Sequence, residues 1–221
     1  MTPPEAPAAP PPRGGRPQRP GEAGSVAAAG VGRADRPSRQ LADAAATVRV
    51  WRPGIRLAHW ALAGSVLGCL LLYQGGTWHE RLGYLALAVV VWRVATGLIG
   101  PAGDRFSAFV RSRAATLAYA KAIRHGTEPR HLGHNPLGAW MILALLAAAG
   151  LAAASGAVYV TDAWWGDAAV YRLHQIAGWS LAVLVPLHLA GVALTSCLQR
   201  ENLVKAMLTG TKRAAAPGDV G

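Results

Sequence analysis

Four long stretches of the chain are almost continuously apolar. They cover residues of about 57–74, 77–100, 136–158 and 172–198. Each is close to the ~20 residues that a helix needs to cross a bilayer, and none alternates with the period of two that marks a strand. A spanning segment must satisfy its own backbone groups, which a helix does internally. The pattern therefore predicts an all-α fold, an integral membrane bundle of four helices.

The segments outside these stretches have other roles. Residues 1–46 are rich in Pro, Ala, Gly and Arg, so they cannot bury enough apolar surface to offset the entropy of ordering, and we expect a disordered tail. Residues 47–213 form the four-helix domain, and residues 214–221 a C-terminal tail. Residues of about 112–125 predict a short inner helix that ends at Gly126. It lies either on the membrane surface or, equally well, in solvent.

Charge orients the predicted bundle. The formal net charge is +11, and the bases gather in the connection between the second and third stretches, in the C-terminal part and in the N-terminal tail. The other two connections, GGTWHER and YVTDAWWGDAAVY, carry one base between them. Positive residues remain in the cytoplasm, so we expect both termini there. No leader sequence is visible, so the first helix would direct insertion. The spanning lengths argue against a nucleic-acid-binding protein.

Four histidines lie in or at the ends of the spanning stretches: His59, His79, His174 and His188. Ionisable groups at such depth are costly and usually face the bundle interior, and neutral imidazole is a good ligand of haem iron. His174 and His188 are fourteen residues apart, so they share one helix face at ~21 Å along its axis. One haem cannot use both residues, whereas two haems, one near each membrane surface, can.

Depth in the membrane predicts the partners of these two residues. His79 and His174 both lie at the outer entrances of their helices. His59 should meet His188 on the inner side, although His188 lies ~7 Å nearer to mid-membrane; helix tilt or an earlier start of the first helix is then needed. Arg93 is either a partner of the inner haem's propionates or a snorkelling arginine, and both interpretations stay open.

The other candidate residues carry weaker predictions. His125, His131 and His134 lie in the inner loop and are expected to be surface or capping residues, although His134 could approach a quinone headgroup. Cys69 and Cys197 are in no C-x-x-C-H run, so covalent haem attachment is not encoded. A proton relay is the rival use of buried histidines, but it normally recruits carboxylates, and the apolar cores of the spanning stretches contain none.

Several motifs carry a resemblance to a known family between about residues 50 and 213. They are VWRPGIRLAHW (50–60), WHERLGYLAL (78–87), RHLGHNPLGAWM (130–141), LHQIAG with LHLAGV (173–178 and 187–192) and RENLVKAMLTG (200–210). Together they resemble the bacterial cytochrome b561 and Ni,Fe-hydrogenase cytochrome b subunit family. The N-terminal tail has no counterpart in that family.

The resemblance implies a multi-pass cytochrome of the bacterial inner membrane that holds two haem b groups. The axial ligands of the haem iron would be His59, His79, His174 and His188. It also implies electron exchange between the quinone pool and a redox partner, which would be a hydrogenase, a dehydrogenase or a c-type cytochrome. Such a chain is an electron-transfer subunit without catalytic residues, surrounded by lipid and compatible with a homo-oligomer. The alternative is a non-redox membrane anchor or a small proton-conducting transporter.

Overall fold

A computed structural model describes residues 46–220, so the predicted disordered tail lies outside the described residues except for its last position. The elements in chain order are β1 (Thr47–Arg49), α1 (Pro53–Leu71), α2 (Thr77–Ile99), a 3₁₀ turn (Ala102–Asp104), α3 (Phe106–Phe109), α4 (Arg113–His125), α5 (Pro136–Tyr159), α6 (Ala168–Leu198), α7 (Leu203–Thr209) and β2 (Thr211–Arg213). In this part of the chain, α1, α2, α5 and α6 are long and apolar enough to cross a membrane. The predicted all-α membrane bundle of four helices is confirmed.

The first spanning helix lies closer to the N-terminus than the apolar pattern predicts. It begins at Pro53, because proline has no N–H to leave unpaired and its fixed φ suits the first helical position. It ends at Leu71 rather than near residue 74. Gly75 and Gly76 follow with φ of +91° and +99°, a conformation that favours glycine, and they turn the chain into α2.

Side-chain caps begin the third and fourth spanning helices. The Asn135 side-chain oxygen accepts a hydrogen bond from the Gly138 N–H at 2.7 Å. The Asp167 carboxylate accepts from the N–H groups of Ala169 and Val170, both at 2.9 Å. Such caps satisfy N–H groups that the first turn of a helix leaves unpaired. The Asp167 cap explains why α6 begins four residues before the apolar stretch.

Three of the four neighbouring helix pairs pack closely: α1 with α2, α2 with α5, and α5 with α6. Their shared core consists of small and branched residues, namely Val66, Val90, Leu146, Ala149, Ala152, Ala177 and Leu181. Small residues let helix backbones approach within a membrane. By contrast, α1 and α6 have few contacts, so the bundle has an open seam between its first and last spanning helices.

The two ends of the described chain meet at one end of the bundle. β1 pairs antiparallel with β2, and Val48 lies opposite Lys212. Arg130, in the loop before α5, donates hydrogen bonds to the carboxylates of Glu201 and Asp219. The C-terminal segment is therefore held against the inner loop, which the sequence did not predict. The cytoplasmic location of this end stays a prediction.

Candidate functional site

One pair of histidines lies at the end of the bundle away from β1 and β2. The ring centroids of His79 in α2 and His174 in α6 are 5.9 Å apart. Two imidazoles that bind one metal ion through bonds of about 2 Å have centroids roughly 6 Å apart. The spacing of His79 and His174, called the outer pair below, therefore fits two imidazole ligands of one metal ion.

Backbone carbonyls hold both rings of the outer pair. Nδ1 of His79 lies 3.0 Å from the Leu72 oxygen, and Nδ1 of His174 lies 2.8 Å from the Ala152 oxygen. Because a carbonyl only accepts, each Nδ1 must carry the proton, which leaves the Nε2 lone pair free for a metal. Gly156 makes room for the second ring, since a Cβ there would lie 3.0 Å from Cε1 of His174.

A second pair lies nearer the end where β1 and β2 meet. The ring centroids of His59 in α1 and His188 in α6 are 6.5 Å apart, which again fits two ligands of one metal. The start of α1 at Pro53 supplies the earlier helix start that this pairing required. Among the described residues, the buried Nδ1 of His59 has no hydrogen-bond partner. A buried polar atom without a partner indicates a group that the protein atoms alone do not supply.

A cavity of about 790 Å³ opens beside the inner pair, along the seam between α1 and α6. Its wall is mostly aliphatic and aromatic, and its ionisable lining residues are His59, Arg93, His131, His134, His188 and Lys212. Sites for cofactors and other small molecules usually measure about 300–1,000 Å³ and have apolar walls with a few polar groups. The cavity and the donor set of the two pairs therefore fit haem, a flat apolar macrocycle with anionic substituents.

Arg93 of α2 reaches the same cavity. Its guanidinium lies 4.7 Å from the ring centroid of Phe106 and 6.0 Å from that of Phe109. These cation–π contacts stabilise the positive charge of the guanidinium. They provide no acceptor for its N–H groups, which point outward in the plane of the guanidinium. In the described part of the chain, the buried Nη1 has no hydrogen-bond partner. Arg93 therefore has a free donor that an anionic ligand would satisfy.

His134 is not the surface or capping residue that the sequence predicted. Its ring lies between Trp51 and Phe109, with both centroid distances at 4.5 Å. Burial, together with the nearby positive charges of Arg93 and Lys212, lowers the pKa of His134 to about 3, so the ring is neutral. The sequence did not indicate this because Trp51 precedes α1 and His134 precedes α5, so the two rings meet only in the folded structure.

Lys212 is a site residue that the sequence did not single out. Its side chain is 5% exposed, it lines the cavity, and Nζ lies 3.3 Å from the His131 carbonyl oxygen. In the sequence, Lys212 contributes only to the cluster of positive charges from which the orientation of the bundle is predicted. The alternation within β2, in which Lys212 is buried and Arg213 exposed, is too short a pattern to recognise without the pairing to β1.

Comparison with known proteins identifies the family. The sequence model of a family described as prokaryotic cytochrome b561 matches residues 50–210, which include all four spanning helices and both histidine pairs. No curated protein matches the chain, and no solved structure does. The chain therefore belongs to the prokaryotic cytochrome b561 family, and it is a multi-pass membrane cytochrome that binds haem b and takes part in electron transfer.

Proposed function

We propose that this cytochrome holds two haem b groups and carries electrons between a redox partner protein and the quinone pool. His79 and His174 would bind the outer haem, and His59 and His188 the inner one. The single observation that carries the proposal is the pair of ring separations, 5.9 Å and 6.5 Å. Each separation matches two imidazoles on one iron, and a single haem cannot use both pairs.

The positions of the pairs suit electron transfer across a membrane. Haem b supplies an iron that accepts and releases one electron. His174 and His188 stand ~21 Å apart along α6, so the two sites divide a hydrocarbon core of about 30 Å into short steps. Two histidines would hold the iron at each site, and the aliphatic wall would exclude water and help to set the potential.

The open seam offers a route for a quinone. The cavity beside the inner pair extends between α1 and α6, and Leu187 and Leu194 in its wall are about half exposed. In a membrane these side chains would face lipid, so a lipid-soluble quinone could enter from the bilayer. The neutral ring of His134 would place a polar hydrogen atom near its headgroup. The location of His134 in the cavity wall agrees with the prediction that this residue approaches a quinone headgroup.

The opposite end of the bundle would receive the redox partner. Trp78 and Trp165 are 66% and 70% exposed there, as side chains of an interfacial aromatic belt are. The distribution of loop charges supports a location of this end outside the cytoplasm, and the membrane would be the bacterial inner membrane. The partner would be a hydrogenase, a dehydrogenase or a c-type cytochrome that meets the outer haem.

Haem stoichiometry tests the proposal. Alkaline pyridine spectra of the purified full chain should give two equivalents of protohaem per protein. His174→Ala and His188→Ala should each lose about one equivalent, because each removes one axial ligand of a different haem. His125→Ala is the matched control, since His125 is exposed at the end of α4, and it should keep both.

Two results would contradict the proposal. One is a wild-type content of one haem or none; a protein that only anchored a partner or conducted protons would contain no protohaem. The other is full retention of haem in both histidine variants, since the rings would then have a structural role. Reduction of the wild-type haems by a soluble quinol analogue would test the quinone separately.

A further inference from the structure

Two positively charged side chains enter the apolar cavity beside the inner histidine pair. They come from distant parts of the chain, Arg93 from α2 and Lys212 from β2. Neither forms an ion pair within 4 Å in the described part of the chain. The nearby carboxylates are already engaged, Glu201 by Arg130 at 3.1 Å and Asp104 by Arg52 at 3.7 Å.

The charge of Lys212 is held in place by the fold. Pairing of β1 with β2 fixes its backbone opposite Val48, and Nζ lies 5.9 Å from the ring centroid of Trp51. The next residue, Arg213, donates its N–H to Glu201 at 2.8 Å. A flexible surface lysine would turn toward water, whereas this one is fixed with its ammonium in the cavity.

The ammonium of Lys212 is incompletely satisfied. Of its three N–H donors, one has a partner in the described residues, the His131 carbonyl. Burial also lowers the pKa of Lys212 and outweighs the opposing effect of the Glu201 carboxylate. His134, the neighbouring ring, is neutral and provides none. The ammonium of the buried Lys212 and the buried Nη1 of Arg93 therefore both have donors that an anionic ligand would satisfy.

We propose that Lys212 and Arg93 together bind the propionate carboxylates of the inner haem. This inference rests on the proposed function, because it requires a haem between His59 and His188. A haem carries two carboxylates, which match two cations in number and charge. The planar guanidinium of Arg93 suits bidentate binding and the ammonium of Lys212 acts as a point charge.

The consequence is that the paired ends of the chain form part of the cofactor site. Three spanning helices, α1, α2 and α6, would supply the iron ligands, and β2 would add a second cation to the one that Arg93 brings from α2. Removal of a positive charge beside the haem favours the oxidised, more positive iron. We expect this charge to act on the inner haem alone, since the outer pair lies at the opposite end of the bundle.

Redox titration of the full chain in detergent tests the role of Lys212. Lys212→Met keeps the length of the side chain and removes the charge. It should lower the midpoint potential of one haem by about 60 mV, a tenfold shift of a one-electron equilibrium, and leave the other unchanged. Lys212→Arg keeps the charge and should therefore keep most of the wild-type potential, and Lys205→Met, which removes an exposed lysine of α7, should cause no shift.

The same titration in the His174→Ala background, which should retain only the inner haem, assigns the shifted component. Two wild-type haems with no shift in Lys212→Met would overturn this inference while the proposed function stands. Fewer than two wild-type haems would instead overturn the proposed function. A shift that is present with phospholipid but absent after complete delipidation would assign the anion to a lipid phosphate, which also overturns the proposal.

Discussion

Gly156 of α5 leaves the space that the outer histidine ring occupies. A Cβ at this position would lie 3.0 Å from Cε1 and 3.1 Å from Nδ1 of His174, closer than ordinary contacts of about 3.5–4.0 Å. In Gly156→Ala the ring must therefore retreat by about half an ångström. That movement lengthens the 2.8 Å hydrogen bond from Nδ1 to the Ala152 oxygen.

The cost of this movement should appear as weaker binding of one haem. A strained rotamer costs about 0.5–1.5 kcal/mol, and a hydrogen bond that is lengthened but not lost costs about 0.5 kcal/mol, so we expect about 1–2 kcal/mol in Gly156→Ala. That corresponds to roughly 5- to 30-fold weaker binding. Transfer of haem to an excess of a haem-binding apoprotein measures the effect, and one of the two haems should dissociate faster while the other keeps its wild-type rate.

Gly64→Ala provides the matched control, because Gly64 is exposed in α1 and a Cβ there would contact nothing within 4 Å. It makes the same chemical change within a spanning helix and should leave both rates unchanged. Equal loss of both haems in Gly156→Ala would indicate general destabilisation of the bundle. Wild-type rates for both haems would refute the role assigned to the ring's position.

The Arg130 network leads to two further predictions. Arg130→Met should leave the carboxylates of Glu201 and Asp219 without their shared partner and so lower the local stability of this segment. Hydrogen exchange of residues 214–220 should rise while exchange in α5 is unchanged. The second prediction concerns pH. Burial raises the pKa of Glu201, but hydrogen bonds from Arg130 and the Arg213 N–H outweigh it, so the pKa is lowered from its ordinary 4.5. The unfolded segment then binds the proton more readily than the folded one. Protection of residues 214–220 should therefore be constant from pH 7 to about pH 5 and fall at lower pH, and a decline that begins at neutral pH would contradict this assignment.

The sequence was sufficient for the features that depend on local chemistry. Four apolar stretches of spanning length predict four helices, because a chain in hydrocarbon must satisfy its backbone groups within each segment. Asn135 and Pro136 mark the start of α5, because the asparagine side chain caps the first turn and proline suits the first helical position. The spacing of His174 and His188 along one helix also predicts two separate sites, since helical geometry alone sets the distance between them.

Other features of the candidate site were decided only by contacts between distant parts of the chain. The Nδ1 of His174 meets a carbonyl of another helix, and the ring of His134 packs against Trp51, which precedes α1. Lys212 enters the cavity because β1 pairs with β2. Periodicity and spacing report only the geometry within one element, whereas the environment of a side chain depends on which elements meet, and that is settled by the tertiary structure.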